Sequence, residues 1–165
     1  MYNYECDGIP SVEALGTEDP NECNSQSNSV SEKVCAPTHT VVGYMGGEGD
    51  YPNYDANYTQ LNYSETLRLI YDPEATNFSR VMDAYWKYAP APTLPQSDPA
   101  YMLRIFTTTP AQAAAAAASK AALEAQANAT VYLDLFDAAD YTFWKAEEYH
   151  QQYDFKAGMT CNGRR

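Results

Sequence analysis

From residue 38 onward the chain switches between two hydrophobic periods, and each switch predicts an element. "HTVVGYMGG" reads as a strand running into a glycine turn. In "SETLRLIYDP", Leu67, Leu69 and Tyr71 alternate with Thr66, Arg68 and Ile70 before an Asp-Pro stop, as in a strand. "NFSRVMDAYWKY" places Phe78, Val81, Met82, Tyr85 and Trp86 on one helical stripe. The Pro-rich "APAPTLPQSDP" can be neither helix nor central strand and is a loop. "YMLRIFTTT" and "TVYLDLF" are further strands. Between them, "TPAQAAAAAASKAALEAQA" is the clearest helix, with Thr109 as N-cap, Pro110 in the first turn and an alanine run that lets it lie close to a sheet. "AEEYHQQY" predicts one short helical turn. Residues 1–40 follow neither period and read as irregular. Strands alternating with helices predict an α+β two-layer sandwich. No repeat or linker divides it, so residues 1–165 read as a single domain, with an irregular Cys-containing insertion at about 16–40.

Charge narrows the partners. The 165 residues carry 22 acidic and 10 basic side chains, a formal net charge of -12. A field of that sign repels phosphate backbones and anionic headgroups, so nucleic acid is not an expected partner. No apolar run has the length of a membrane span, so direct membrane insertion is not expected either. The opening "MYNYECDGIP" is acidic and turn-rich, and a targeting segment is expected to be absent from this sequence.

Two features point to an oxidising compartment. The four cysteines, Cys6, Cys23, Cys35 and Cys161, are even in number, and none is spaced as CxxC. With only His39 and His150 to complete a site, neither metal nor cofactor is expected. Asn57, Asn62, Asn77 and Asn128 head four glycosylation sequons, which are read only on a secretory route. Tyrosine-rich "GDYPNYDANYTQLNY" is a candidate contact surface.

Several segments together resemble the type A peptide methionine sulfoxide reductases. "VVGYMGG", "NYSETLRLIYDP", "IFTTTPAQAAAAAASKAAL" and "FWKAEEYHQQY" follow the order of the family patterns GYxGG, GHAEAVxVxYDP, YRSAIF with xTPEQ, and FYxAExYHQQY. "VEAL" at 12–15 looks like the tail of the nucleophile motif GCFWGVEAL. The resemblance implies a roll around a ferredoxin-like core. It also implies a thiol reaction: a thiolate adds to the sulfoxide sulfur, an acid protonates the oxygen, and the resulting sulfenic acid condenses with a second cysteine. Residue by residue, the catalytic glutamate falls on Glu65. The two tyrosines that hold the sulfoxide oxygen fall on Tyr54 and Tyr101, and the histidine of YHQQY is His150. Cys161 stands where the family has a resolving cysteine.

Counted from "VEAL", the nucleophile position falls on Gly8, the Phe and Trp of the methyl pocket fall on Ile9 and Pro10, and the family glycine becomes Ser11. Tyr63 replaces the histidine of GHAEAV, Ala89-Pro90-Ala91 replaces a His-Asp-Pro, and Asp98 is out of register. That alignment predicts a family member without its nucleophile, and covalent catalysis without its nucleophile leaves only binding. The resulting expectation is a non-catalytic, structural or accessory subunit, bound to protein partners in a larger assembly such as a photosynthetic membrane complex. It would reside in a thylakoid lumen or a secretory or extracellular space. Disulfides Cys6–Cys161 and Cys23–Cys35 would fasten the termini and the insertion. The alternatives are a working reductase using Cys6 with Cys161 and a thioredoxin-type reductant, or a module that binds methionine-containing peptides. The carboxylates of Glu5 and Asp7 beside Cys6 disfavour its thiolate.

Overall fold

The computed structural model describes residues 11–16, 38–74, 76–88 and 92–151. Six strands form one mixed sheet in the order β5-β4-β1-β3-β2-β6. They are β1 (Ser11–Gly16), β2 (Thr38–Met45), β3 (Ser64–Tyr71), β4 (Leu103–Thr107), β5 (Leu133–Asp137) and β6 (Trp144–Lys145). Strands β1, β3, β4 and β5 run parallel, whereas β2 is antiparallel to both β3 and β6. Helices α1 (Phe78–Tyr88) and α2 (Pro110–Ala127) complete the α+β architecture.

The period-2 residues of β3 sort as the sequence predicts. Leu67, Leu69 and Tyr71 are buried in one core with Phe78, Val81, Met82 and Tyr85 of α1. The four α1 residues repeat at helical spacing, so one face is apolar and the other is free for charge. Ala116 of α2 is fully buried in the same core. Its single methyl lets α2 approach closely, and Trp86 Nε1 donates to Ser119 Oγ at 2.6 Å to join the two helices. Thr109 caps α2 by accepting from Gln112 N–H at 3.2 Å, with Pro110 in the first turn, as expected.

The opposite sheet face carries a second cluster, Met45, Phe106 and Ala138, with Phe136, Tyr141 and Phe143 packed against it. Arg104 is buried on this side of β4. Its Nη1 donates to Asn62 O at 2.7 Å and its Nη2 donates to Asn62 Oδ1 at 3.1 Å.

Three readings are corrected. Residues 1–40 are not irregular throughout: Ser11–Gly16 is a strand between β3 and β4, pairing Ser11 with Thr66 and with Arg104. In "SVEALG" Leu15 breaks the alternation of Val12 and Ala14 with Ser11 and Glu13, so only its neighbours reveal it. Second, Trp144–Lys145 adds an edge strand of two residues, below the length that a pattern can reveal. Third, the tyrosine-rich segment turns inward: Tyr58 and Tyr63 are buried, while Tyr51 is exposed and packs its ring 4.9 Å from Trp144. Among the described residues, no helix is long and apolar enough to cross a membrane, and no three His, Cys, Asp or Glu residues are grouped to hold a metal ion.

Candidate functional site

The register of β2 against β3 builds the centre of the site. It sets Tyr44 opposite Glu65 across the antiparallel pair, at the end where both strands meet their loops. Just beyond Met45, the two glycines of "GYMGG" make a tight exit. Gly46 has a positive φ of 85°, which a side chain adopts only at a cost, and a Cβ on Gly47 would collide with the ring of Tyr63. Tyr63, which stands in the place of the family histidine, also donates to Gly49 O at 2.6 Å. The loop that follows returns to its start, where Glu48 N–H donates to Leu61 O at 2.9 Å, and it brings Tyr58, with Tyr54 stacked on it, to Glu65.

Glu65 is 3% exposed. Tyr58 donates its hydroxyl to Glu65 Oε1 at 3.0 Å. Tyr54 stacks on Tyr58, with centroids 5.5 Å apart and planes 11° from parallel. Tyr101 sits at the end of the turn Pro99–Tyr101, which is tied to the residue before Glu65 because Ser64 Oγ donates to Pro99 O at 2.8 Å. Asp98 caps that turn by accepting from Ala100 N–H at 3.0 Å.

The C-terminal motif closes the other wall. Glu147 accepts from the Tyr44 hydroxyl at 2.7 Å and from the Tyr54 N–H at 3.1 Å. His150, 8% exposed, has its ring 4.6 Å from that of Tyr54 and its Nε2 3.8 Å from Glu147 Oε2. Gln151 reaches back to β2, accepting from Val42 N–H at 3.0 Å and donating to Val42 O at 2.9 Å, so the motif is held like an added strand segment.

Electrostatics follow from this packing. Burial first, and then the Glu147 hydrogen bond, push the Tyr44 hydroxyl far up. Burial, then the charge and hydrogen bond of Glu65, do the same to Tyr58. Both therefore stay protonated and remain donors at any ordinary pH. For Glu147, burial opposes ionisation, but bonds from Tyr44, the backbone and Tyr54, with the charge of His150, outweigh it and hold the carboxyl below its usual value. Burial lowers His150 against the pull of Glu147 and Asp55, so the imidazole is neutral at pH 7. The arrangement offers a buried carboxyl, Glu65, bridged by Tyr58 to a stacked aromatic wall. With a proton taken up, that carboxyl could deliver it to an oxygen seated beside Tyr54.

The structure thus brings together all four pocket residues expected from sequence: Tyr54, Glu65, Tyr101 and His150. Three more belong with them: Tyr44, Tyr58 and Glu147. Tyr44 and Glu147 stand inside the quoted motifs "GYMGG" and "AEEYHQQY", whereas Tyr58 lies in a loop where no pattern distinguishes it from other tyrosines. Cys6, Cys23, Cys35 and Cys161, with Gly8, Ile9 and Pro10, lie outside the described residues, and so do the two disulfides expected of them. Of the sequon asparagines, Asn57 accepts from Asn53 N–H, Asn62 from Arg104 and Asn77 from Arg80 N–H, while Asn128 ends α2 in a left-handed conformation.

Comparison with known proteins gives the class. Residues 21–162 match the family described as peptide methionine sulfoxide reductase. The chain belongs to that family. A peptide methionine sulfoxide reductase MsrA of Streptomyces griseus is 34% identical over 132 residues, which is 74% of this chain and 60% of the relative. One of Methanoculleus marisnigri is 33% identical, covering 76% of this chain and 80% of that protein. A peptide methionine sulfoxide reductase of Lactuca sativa is 34% identical, with 77% of this chain matching half (50%) of its length. In fold, the chain resembles reduced Mxr1 of Saccharomyces cerevisiae, with a TM-score of 0.62 at 20% identity over 83% of this chain and 80% of that one. These relatives overturn the expectation of a non-catalytic accessory subunit. They are named as reductases, and the alternative of a sulfoxide reductase fits them better. The expectation rested on aligning residues 8–15 with the nucleophile motif, and the family match begins only at residue 21.

Proposed function

We propose that the protein is a thiol-dependent peptide methionine sulfoxide reductase. The observation that carries this reading is Glu65, a buried carboxyl held by Tyr58 under the aromatic wall of Tyr54, in a chain of this family. In the reaction, a cysteine thiolate adds to the sulfoxide sulfur. Glu65 gives its proton to the sulfoxide oxygen as the S–O bond passes to the cysteine. The methionine thioether leaves, and the enzyme holds a sulfenic acid. A second thiol attacks that sulfur, expels water and leaves a disulfide, which an external dithiol then reduces.

The matched span also bears on which thiols react. It leaves out Cys6 and takes in Cys23, Cys35 and Cys161. The family pattern carries its nucleophile ahead of the GYxGG turn and its resolving cysteine after the histidine. Cys23, near the head of the match, is the favoured nucleophile, and Cys161 the resolving thiol. The test is reduction of a peptide containing methionine sulfoxide with dithiothreitol, followed by chromatography, across the four single Cys→Ser variants. Cys23→Ser should abolish turnover and Cys6→Ser should leave it. If wild-type protein shows no turnover, the reductase reading fails. If Cys6→Ser alone is dead, the nucleophile is Cys6.

A further inference from the structure

Two aspartates border the residues that would hold the sulfoxide. Asp55 directly follows Tyr54, and its charge acts on the rings of Tyr54, Tyr149 and His150. Asp98 caps the turn that carries Tyr101, and its charge reaches Tyr58. Both aspartates are exposed. No opposing cation balances them among the described residues of this rim: Lys145 is held by Glu148 at 3.2 Å, and His150 is neutral. Arg68 and Arg104 belong to the opposite sheet face, one over the Phe143 ring and the other among the Asn62 carbonyl groups.

A second observation points to a peptide rather than free methionine sulfoxide. His150 Nε2 is buried and has no hydrogen-bond partner among the described residues. The imidazole lies between the rings of Tyr54 and Tyr149, with centroids 4.6 Å and 4.2 Å away, and Tyr149 is 46% exposed. A buried polar atom left without a partner carries a cost, and a backbone group of an incoming chain can remove it. Tyr149 and Tyr101, 46% and 42% exposed, offer that chain aromatic surface on which to lie.

We propose that this site selects methionine sulfoxide in basic sequence context, in peptides with Lys or Arg beside the oxidised methionine, and that Asp55 and Asp98 set the preference. The inference rests on the reductase reading and adds its substrate class. Two exposed carboxylates beside the site attract a flanking ammonium or guanidinium and repel a flanking carboxylate. The net charge of -12 steers cationic peptides in the same direction.

The test compares three peptides that differ only in the residues flanking methionine sulfoxide: lysines, glutamines or glutamates. Reduction is followed with dithiothreitol at low salt and again at high salt. The expected kcat/KM for the lysine peptide exceeds that for the glutamate peptide by about tenfold at low salt and by no more than about threefold at high salt, because exposed charges are screened. In the D55N/D98N double variant the lysine-to-glutamate ratio should fall at least about threefold at low salt. The D98N change keeps a side-chain oxygen able to accept from Ala100 N–H, so the turn is retained. Equal kcat/KM for the three peptides at low salt overturns the preference while leaving the reductase intact. A preference that survives both salt and the double variant overturns the assignment to Asp55 and Asp98. Failure to reduce any of the three peptides removes the reductase reading, and this inference with it.

Discussion

The Tyr58 hydroxyl and Glu65 Oε1 are 3.0 Å apart, and both residues are buried. The bond runs between the loop before β3 and the strand itself, so it fixes both the carboxyl and the Tyr54 ring stacked on Tyr58. Glu65→Gln removes the acid and should lower kcat at least about 100-fold, as loss of a positioned proton donor does. Tyr58→Phe should lower kcat about tenfold and cost about 1 kcal/mol of stability, since one hydrogen bond to a buried acceptor is lost. Steady-state kinetics with a sulfoxide peptide and urea unfolding check both. Equal kinetic losses in the two variants would argue against Glu65 as the proton source.

Glu147 holds two segments that the chain keeps far apart, accepting from Tyr44 OH and from Tyr54 N–H. Glu147→Ala leaves both donors without their partner and should lower stability by about 2 kcal/mol. Glu147→Gln keeps one accepting oxygen and should lose about half of that. Urea midpoints measured on the two variants check the order. If Ala and Gln prove equal, the two bonds are not what Glu147 contributes.

Arg104 offers a test away from the pocket. The YRSAIF pattern falls on Tyr101–Phe106, so Met102 stands at its arginine and Arg104 at its alanine. The displaced guanidinium bonds Asn62 O and Asn62 Oδ1, three residues before Glu65, and Nη2 also approaches Met102 Sδ at 3.1 Å. Arg104→Lys keeps the charge but not the forked geometry and should cost about 1–2 kcal/mol. Arg104→Met should cost about 3 kcal/mol, because it removes the buried charge and leaves the carbonyl oxygen of Asn62 without its donor. Thermal unfolding followed by circular dichroism ranks the two.

Stability should fall with acid in two stages. Burial lowers the folded His150 below its ordinary 6.5. Below about pH 6.5 the unfolded chain therefore binds a proton that the folded chain refuses, and stability declines as pH falls towards the folded value. Glu147, held below its ordinary 4.5 by its hydrogen bonds, contributes stability that is present above about 4.5 and lost below it. Melting temperatures between pH 4 and 8 should thus decline from about 6.5 downward. His150→Gln should flatten the upper stage and leave most of the lower one, because the Tyr44, backbone and Tyr54 bonds to Glu147 remain.

Much of this molecule is legible as a string. The alternation in "SETLRLIY" and the stripe in "FSRVMDAYWKY" become β3 and α1 because each encodes its burial locally. Thr109 and Pro110 open α2 where expected, since capping is decided within one turn. The family motifs mark Tyr54, Glu65, Tyr101 and His150 as one pocket, and the structure assembles them there. Ser11–Gly16, whose alternation Leu15 breaks, and the two-residue Trp144–Lys145 were not legible. Their strand identity comes wholly from the neighbours they pair with. The accessory-subunit expectation was built by counting back from "VEAL", four letters outside the matched span 21–162, and the relatives named as reductases overturn it.

By itself, then, the sequence determined the α+β class, the helix limits, the acidic charge and the reductase ancestry. Each of these depends on local period, composition or motif order. Only the tertiary structure decided that Tyr58 serves Glu65, that Glu147 joins Tyr44 to Tyr54, and that Arg104 anchors the Asn62 turn. The reason is register. A hydrogen bond between residues 44 and 147 depends on how β2 pairs with β3 and β6, and no pattern within either segment records that pairing.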